Sequence, residues 1–145
     1  MASQPADGEL VELEPDECWR LVRSRAVGRF AANRPCQSPL VVPVNYVVTD
    51  RPTEIVFRSS AGAKLNATSA GLVALQVDDI DPMHHLGWSV HVEGTASWLY
   101  AEQDDTPVET WAPGERPYVI RMTPTRITGR RIRLYQLDTD GRGYR

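Results

Sequence analysis

Lysine is almost missing from this chain. Of its sixteen basic residues fifteen are arginine, and Lys64 is the one exception. That position is informative, because a compact ammonium on a flexible stem serves an anion in a way that a planar guanidinium does not. An excess of charge of one sign is missing too. The net charge is −3 and the arginines are dispersed among acids, so the basic face that DNA or RNA requires is lacking and nucleic acid is not an expected partner. No apolar run approaches the roughly 20 residues of a membrane-spanning helix, and no basic stretch leads into an apolar one near Met1. The expectation is a cytoplasmic protein with no membrane contact. Cysteine is scarce: Cys18 and Cys36 fit neither a C-x-x-C pair nor a zinc set, so two reduced thiols are expected.

What is present fits one globular domain with a modest core, since 145 residues at 41% hydrophobic leave no room for a second. Residues 1–12 mix Ser, Gln, Pro, Asp, Gly and Glu without period and read as a disordered acidic tail. The domain then runs over residues 13–138, and residues 139–145 are expected to fray. From Pro15 the pattern is a short amphipathic helix, with Asp16 and Glu17 near its start and Cys18, Leu21 and Val22 on one face. Ala26 to Ala32 reads as a strand.

Leu40 to Val48 is apolar on both faces and reads as a central strand, interrupted by Pro43, which should mark a bulge or a point where the strand leaves one neighbour. Glu54 to Ser59 alternates. Lys64 to Ala70 reads as a short helix closed by Gly71, and Leu72 to Asp78 as a strand followed by an exposed acidic loop. Trp88 to Leu99 carries the clearest period of two, with Trp88, Val90, Val92, Gly94, Ala96 and Trp98 on one face. Glu102 to Gly114 is a polar connection with helical character near Val108 to Trp111. Two strands close the chain, Tyr118 to Met122 and Arg126 to Leu134, parted by Thr123-Pro124-Thr125. About seven strands and two or three short helices predict a mainly β fold, an antiparallel barrel with helices at its ends, because no helix is long enough for a βαβ crossover.

Chemistry concentrates at the end of the hairpin spanning residues 42–64. Arg58 can fork onto anionic oxygens, Ser59 and Ser60 can donate hydroxyl hydrogens, the backbone near Gly62 can form an anion nest, and Lys64 opens a helix. The same residues suit a solvated strand end before an ordinary helix, and the pattern alone leaves both readings open. Asn45, with Tyr46 beside it, sits in an apolar strand and must find partners, either a planar heterocycle laid along the strand or neighbouring backbone. Asp78, Asp79, Asp81, His84 and His85 match no calcium loop and no zinc set, so a solvated turn is expected and no metal. His91 lies on the polar face of its strand, and Trp88 is placed to wall a pocket. No catalytic triad or carboxylate pair stands out, so an enzyme built on this chain would rely on a bound cofactor.

The order Cys18-Trp19-Arg20-Leu21, Val27-Gly28-Arg29, Pro43-Val44-Asn45-Tyr46, Phe57-Arg58-Ser59-Ser60-Ala61-Gly62-Ala63-Lys64, Gly87-Trp88-Ser89-Val90 and Thr128-Gly129-Arg130 resembles the pyridoxamine 5′-phosphate oxidase-like proteins, in particular their small actinobacterial branch. The resemblance implies a Greek-key-like split β-barrel and a homodimer with FMN in a cleft between subunits. Val44, Asn45, Tyr46 and Val47 would then lie beside the isoalloxazine and ribityl chain. Arg58, Ser59, Ser60 and Lys64 would hold the phosphate, and Ser89, with Trp88 beside it, would reach the cofactor from the long strand. The family's groups that grip pyridoxamine phosphate have no counterpart here. The implied activity is that of a flavin-dependent oxidoreductase on some other small molecule; a sister branch uses the deazaflavin coenzyme, and a non-catalytic flavin-storage module is the alternative outside enzymes.

Overall fold

The computed structural model of the chain describes residues 8–62, 66, 68 and 71–134. Seven strands are present among them: β1 (Gly8–Glu12), β2 (Val27–Ala32), β3 (Leu40–Val48), β4 (Ile55–Ser59), β5 (Leu72–Asp81), β6 (Leu86–Tyr100) and β7 (Tyr118–Leu134), with helix α1 (Pro15–Arg23) between β1 and β2. All pairings are antiparallel, and β7-β4-β3-β2-β5-β6 closes through β6–β7 into a six-stranded barrel, with β1 added on β7. Strands β2, β3 and β4 follow one another and β5 returns beside β2, a Greek-key order. This is the mainly β split barrel expected. No described helix is long and apolar enough to cross a membrane.

The core is the inward face of these strands. Phe30, Phe57, Ile55, Leu75, Val77, Val90, Val92, Ile120 and Met122 are fully buried, and the rings of Phe30 and Phe57 meet at 5.0 Å. Burying a side chain of this kind stabilises by about 1.5–3 kcal/mol. Helix α1 caps one end of the barrel. Pro15 sits in its first turn, Asp16 and Glu17 face its positive end, and Cys18, Leu21 and Val22 turn inward as the spacing predicts. Tyr46 ties β3 to this helix by donating its hydroxyl hydrogen to the Val22 carbonyl at 2.5 Å, and burial pushes its phenol pKa up.

Several expectations need correction. Gly8–Glu12, expected in a disordered tail, is a strand paired with Leu134 to Arg130 and fastened by Glu9 to Arg133 at 3.1 Å. The two closing strands are one: β7 runs through Pro124 because a bulge on β6–β7 falls there, between Glu93 and Gly94, so the missing proline N–H breaks no regular ladder. Asp78 to Asp81 belong to β5 rather than to an exposed loop, and residues 107–117 hold no helix, the only helical element of that connection being a 3-10 turn at Ala101–Gln103.

Strand β3 is not buried on both sides. Val41 is 61% exposed, and residues 40–45 pair with β2 alone. Pro43 lies in that stretch, where the strand has left its other neighbour. Lys64, with most of the helix expected over residues 64–70, and the C-terminal residues 135–145 lie outside the described residues.

Candidate functional site

The site is built where β3 and β4 part. Their ladder pairs Val48 with Ile55, Val47 with Val56 and Tyr46 with Phe57, then stops. One more step would have set Asn45 against Arg58. Because successive strand residues alternate faces, Val44 and Tyr46 point into the core and are buried, while Asn45, Val47 and Arg58 lie on the outer face and are half-buried. Val44 and Tyr46 therefore offer only main chain to anything bound outside the barrel.

The connection over residues 104–117 lies against this opening. The Trp111 N–H donates to Asn45 Oδ1 at 2.9 Å, and Asn45 Nδ2 donates to the Ala26 carbonyl at 3.3 Å. The Arg58 guanidinium donates from Nε and Nη2 to the Arg116 carbonyl at 2.9 and 2.6 Å. A cavity of about 630 Å³ remains, lined by Val47, Arg58, Ala101 and residues 104–109, within the size range of small-molecule sites.

The connection is pinned at its base. Asp104 is buried and accepts from Arg121 Nε at 2.6 Å and Nη2 at 3.1 Å, while Arg121 also reaches Glu54 at 3.2 Å. The hydrogen bonds from Arg121 hold the Asp104 carboxyl well below the usual carboxylate range, with Thr106 adding to the effect. Two groups near the opening are differently disposed: Ser59 is buried and donates its hydroxyl to the Ser60 carbonyl at 2.7 Å, whereas Ser60 is exposed. Gly62 follows with φ +139°, a conformation open to glycine.

The remaining expected residues are elsewhere on the chain. Ser89 faces outward on β6 and lines a cavity of about 370 Å³ with His91, Thr128 and Arg130. Trp88 faces inward near the barrel end, under the Arg25 guanidinium at 5.7 Å, and walls a cavity of about 730 Å³ with Arg131 and Arg133. Arg58 stands opposite Val119, and Ser89 opposite Arg130, eleven positions further along β7. At about 3.3 Å per residue that is roughly 36 Å of strand. One chain does not bring Ser89 to Arg58. Among the described residues no group of three or more metal-ligating side chains forms; His84 bonds Asp81 at 2.7 Å, and His91 lies 3.4 Å from Glu93.

The part that residue patterns missed is the 104–117 wall itself, which bonds through backbone atoms of Trp111 and Arg116. Only its length in so small a domain signals a role. As chemistry, the opening offers an amide on one lip, a guanidinium and the exposed Ser60 hydroxyl on the other, and an apolar floor at Val47. That donor set suits a planar heterocycle carrying an anionic tail, with the tail at the Arg58 end. Asp105 and Glu109 also line the cavity and disfavour an anion beside them.

A model of the family described as pyridoxamine 5′-phosphate oxidase matches residues 14–131. An uncharacterized protein of Mycobacterium tuberculosis is 31% identical over 139 residues, which cover 90% of this chain and 91% of that one. Among solved structures, the FAD-binding protein of Mycobacterium smegmatis is 32% identical with a TM-score of 0.65, covering 86% of this chain and 100% of its own. A FAD-binding protein of Mesorhizobium loti has a TM-score of 0.69 at 24% identity, covering 88% of this chain and 99% of its own, a likeness of fold alone. Matched over most of its length in motif order and barrel topology alike, the chain belongs to the pyridoxamine 5′-phosphate oxidase family.

Proposed function

We propose that this protein is a flavin-dependent oxidoreductase acting on a small molecule, with the FMN portion of the flavin held at the opening between β3 and β4. The observation that carries the proposal is the interrupted ladder at Asn45 and Arg58, with a cavity of about 630 Å³ beside it. Asn45 and the main chain of residues 44–47 would flank the ring system, and Arg58, Ser60 and Lys64 would grip the phosphate, Ser59 contributing through its backbone. A relative 32% identical that binds FAD supports a flavin over other heterocycles. When bound, the isoalloxazine supplies reversible hydride and electron transfer. The chain's own part is to orient that ring, neutralise its tail and keep water from one of its faces.

We further propose that a second copy of the chain completes the site and brings Ser89, with Trp88 behind it. Two facts support this: β3 is unpaired over residues 40–45 on the side facing away from β2, and within one chain Ser89 is separated from Arg58 by roughly 36 Å of strand.

Full-length protein purified without added cofactor should be yellow, with the two-band flavin spectrum, and should be bleached by NADH, NADPH or reduced deazaflavin. A bound flavin that none of these reduces points to storage rather than catalysis. Titration of Arg58→Ala combined with Lys64→Ala should show FMN affinity down by at least tenfold, since charge-assisted bonds are each worth about 1.5–3 kcal/mol. An unchanged affinity removes the phosphate assignment.

A further inference from the structure

The last turn of the 104–117 connection is gathered around one side chain. Arg116 Nη1 donates to the carbonyls of Ala112, Pro113 and Gly114 at 3.0, 3.3 and 3.2 Å, and Gly114 takes φ +112°, a left-handed conformation that favours glycine. The Arg116 guanidinium is spent on its own turn. Its main-chain carbonyl serves another residue, as the acceptor for both Nε and Nη2 of Arg58.

Little else fixes this segment. No residue from Pro107 to Glu115 is buried, and among the described residues hydrogen bonds tie residues 107–116 to the barrel at two places only, Trp111 on Asn45 and Arg116 on Arg58. The second place bears directly on the site. A guanidinium carries five N–H donors in a rigid plane, and with two of them on the Arg116 carbonyl the plane is fixed while the Nη1 hydrogens and one on Nη2 stay available to an anion. An arginine already held in this way gives up less rotamer freedom when a ligand arrives.

We propose that Arg116 is a positioning residue for the anionic tail of the flavin: its side chain gathers residues 112–114 into a turn, and that turn sets the carbonyl that aims Arg58. The inference rests on the flavin reading above and adds to the site a residue that acts on the cofactor only through another. No bond is made or broken here. The contribution is a guanidinium held ready, and so a tighter grip on the phosphate.

The test is a double-mutant cycle, read by calorimetric titration of flavin-free full-length protein with FMN and separately with riboflavin, which has the same ring system and no phosphate. The variants are Arg116→Ala, Arg116→Lys, Arg58→Ala, and Arg58→Ala combined with Arg116→Ala, with a melting curve for each. Arg116→Ala should weaken FMN by about tenfold, the scale of one charge-assisted bond badly aimed, and leave riboflavin within about twofold. Arg116→Lys, whose three ammonium donors can serve the same three carbonyls, should recover most of that loss. On the Arg58→Ala background Arg116→Ala should cost less than about twofold more, because nothing is left for it to aim. Where affinity is too low to titrate, the Arg58 Nε–H resonance of the flavin-free protein decides: its exchange with solvent should quicken severalfold in Arg116→Ala, and an unchanged rate overturns the assignment.

The full loss persisting without Arg58 would mean that Arg116 acts on the tail by its own charge, which overturns the positioning role. Equal losses for FMN and riboflavin would mark a general loosening of the connection, and FMN affinity unmoved by Arg116→Ala would leave the turn without a role; each overturns the assignment and leaves the flavin reading intact. Wild-type protein that binds neither ligand overturns both.

Discussion

Trp111 and Asn45, sixty-six positions apart, are joined by one hydrogen bond of 2.9 Å from a backbone N–H to a side-chain carbonyl. It holds the long connection before β7 against the place where β3 parts from β4. The same amide donates to the Ala26 carbonyl, so both sides of Asn45 are committed and its orientation is fixed. Asn45→Leu removes both bonds with little change of volume. Each is worth about 0.5–1.5 kcal/mol net, and the expected outcome is a melting temperature lower by a few degrees together with faster proteolytic cutting within residues 105–116. Cutting at the wild-type rate would mean that the connection is held at Asp104 and at Arg116 without help from Asn45.

The base of the connection is the Asp104–Arg121 pair. The folded-state pKa of Asp104 lies below its unfolded value because of Arg121, so its stabilising contribution is complete above the unfolded value near 4 and is lost as pH falls through the folded one. Asp104→Asn should melt lower than wild type at pH 7, by roughly 4–8 °C if about 2 kcal/mol is lost. The gap should narrow progressively below about pH 4. A gap that stays constant down to pH 2.5 would show that the carboxylate's charge is immaterial.

The bulge on β6–β7 makes Gly94 a point of very close approach. A Cβ there would collide with the Thr123 carbonyl oxygen and stand 3.0 Å from Pro124 Cα, both backbone atoms. Gly94→Ala therefore has to move one strand, at a cost of about 1–3 kcal/mol or more. The expected reading is a lower denaturant midpoint with an unchanged slope. A midpoint equal to wild type would mean that the strands are not held together at the bulge.

These sites differ in how far residue patterns reveal them. The twelve-residue alternation from Trp88 to Leu99 shows itself because its inward face is packed along most of its length, and Pro43 correctly signals a strand that loses a neighbour. Strand β1 does not show itself, since Gly8 to Glu12 gains its order from a strand more than a hundred positions away and from Glu9 meeting Arg133. Pro124 misleads for the opposite reason: a proline breaks a regular ladder, yet it sits where a bulge has already interrupted one. At the site, Asn45 and Arg58 are legible as polar groups that need partners. Their partners are backbone atoms of Trp111 and Arg116, and a backbone atom leaves no mark in the residue type that carries it.

If two copies share each site, the sharing has an arithmetic consequence that a site within one chain lacks. Arg58→Ala removes the grip on the tail, and Ser89→Trp fills the space that the other copy would present, Ser89 facing outward beside Arg130 and His91. Each variant alone should bind flavin at least tenfold more weakly. Mixed by unfolding and refolding together, half of the dimers should contain one chain of each kind, and in a two-fold dimer such a pair has one site carrying both defects and one carrying neither. Roughly a quarter of all sites should then recover wild-type affinity, read as the tight phase of a titration against total chain. A chain that builds its whole site alone gains nothing from mixing, because every site still carries one of the two defects. Tight binding absent from the refolded mixture, when wild type treated in the same way recovers fully, would exclude the shared cleft and return Ser89 to the role of an ordinary outward strand residue.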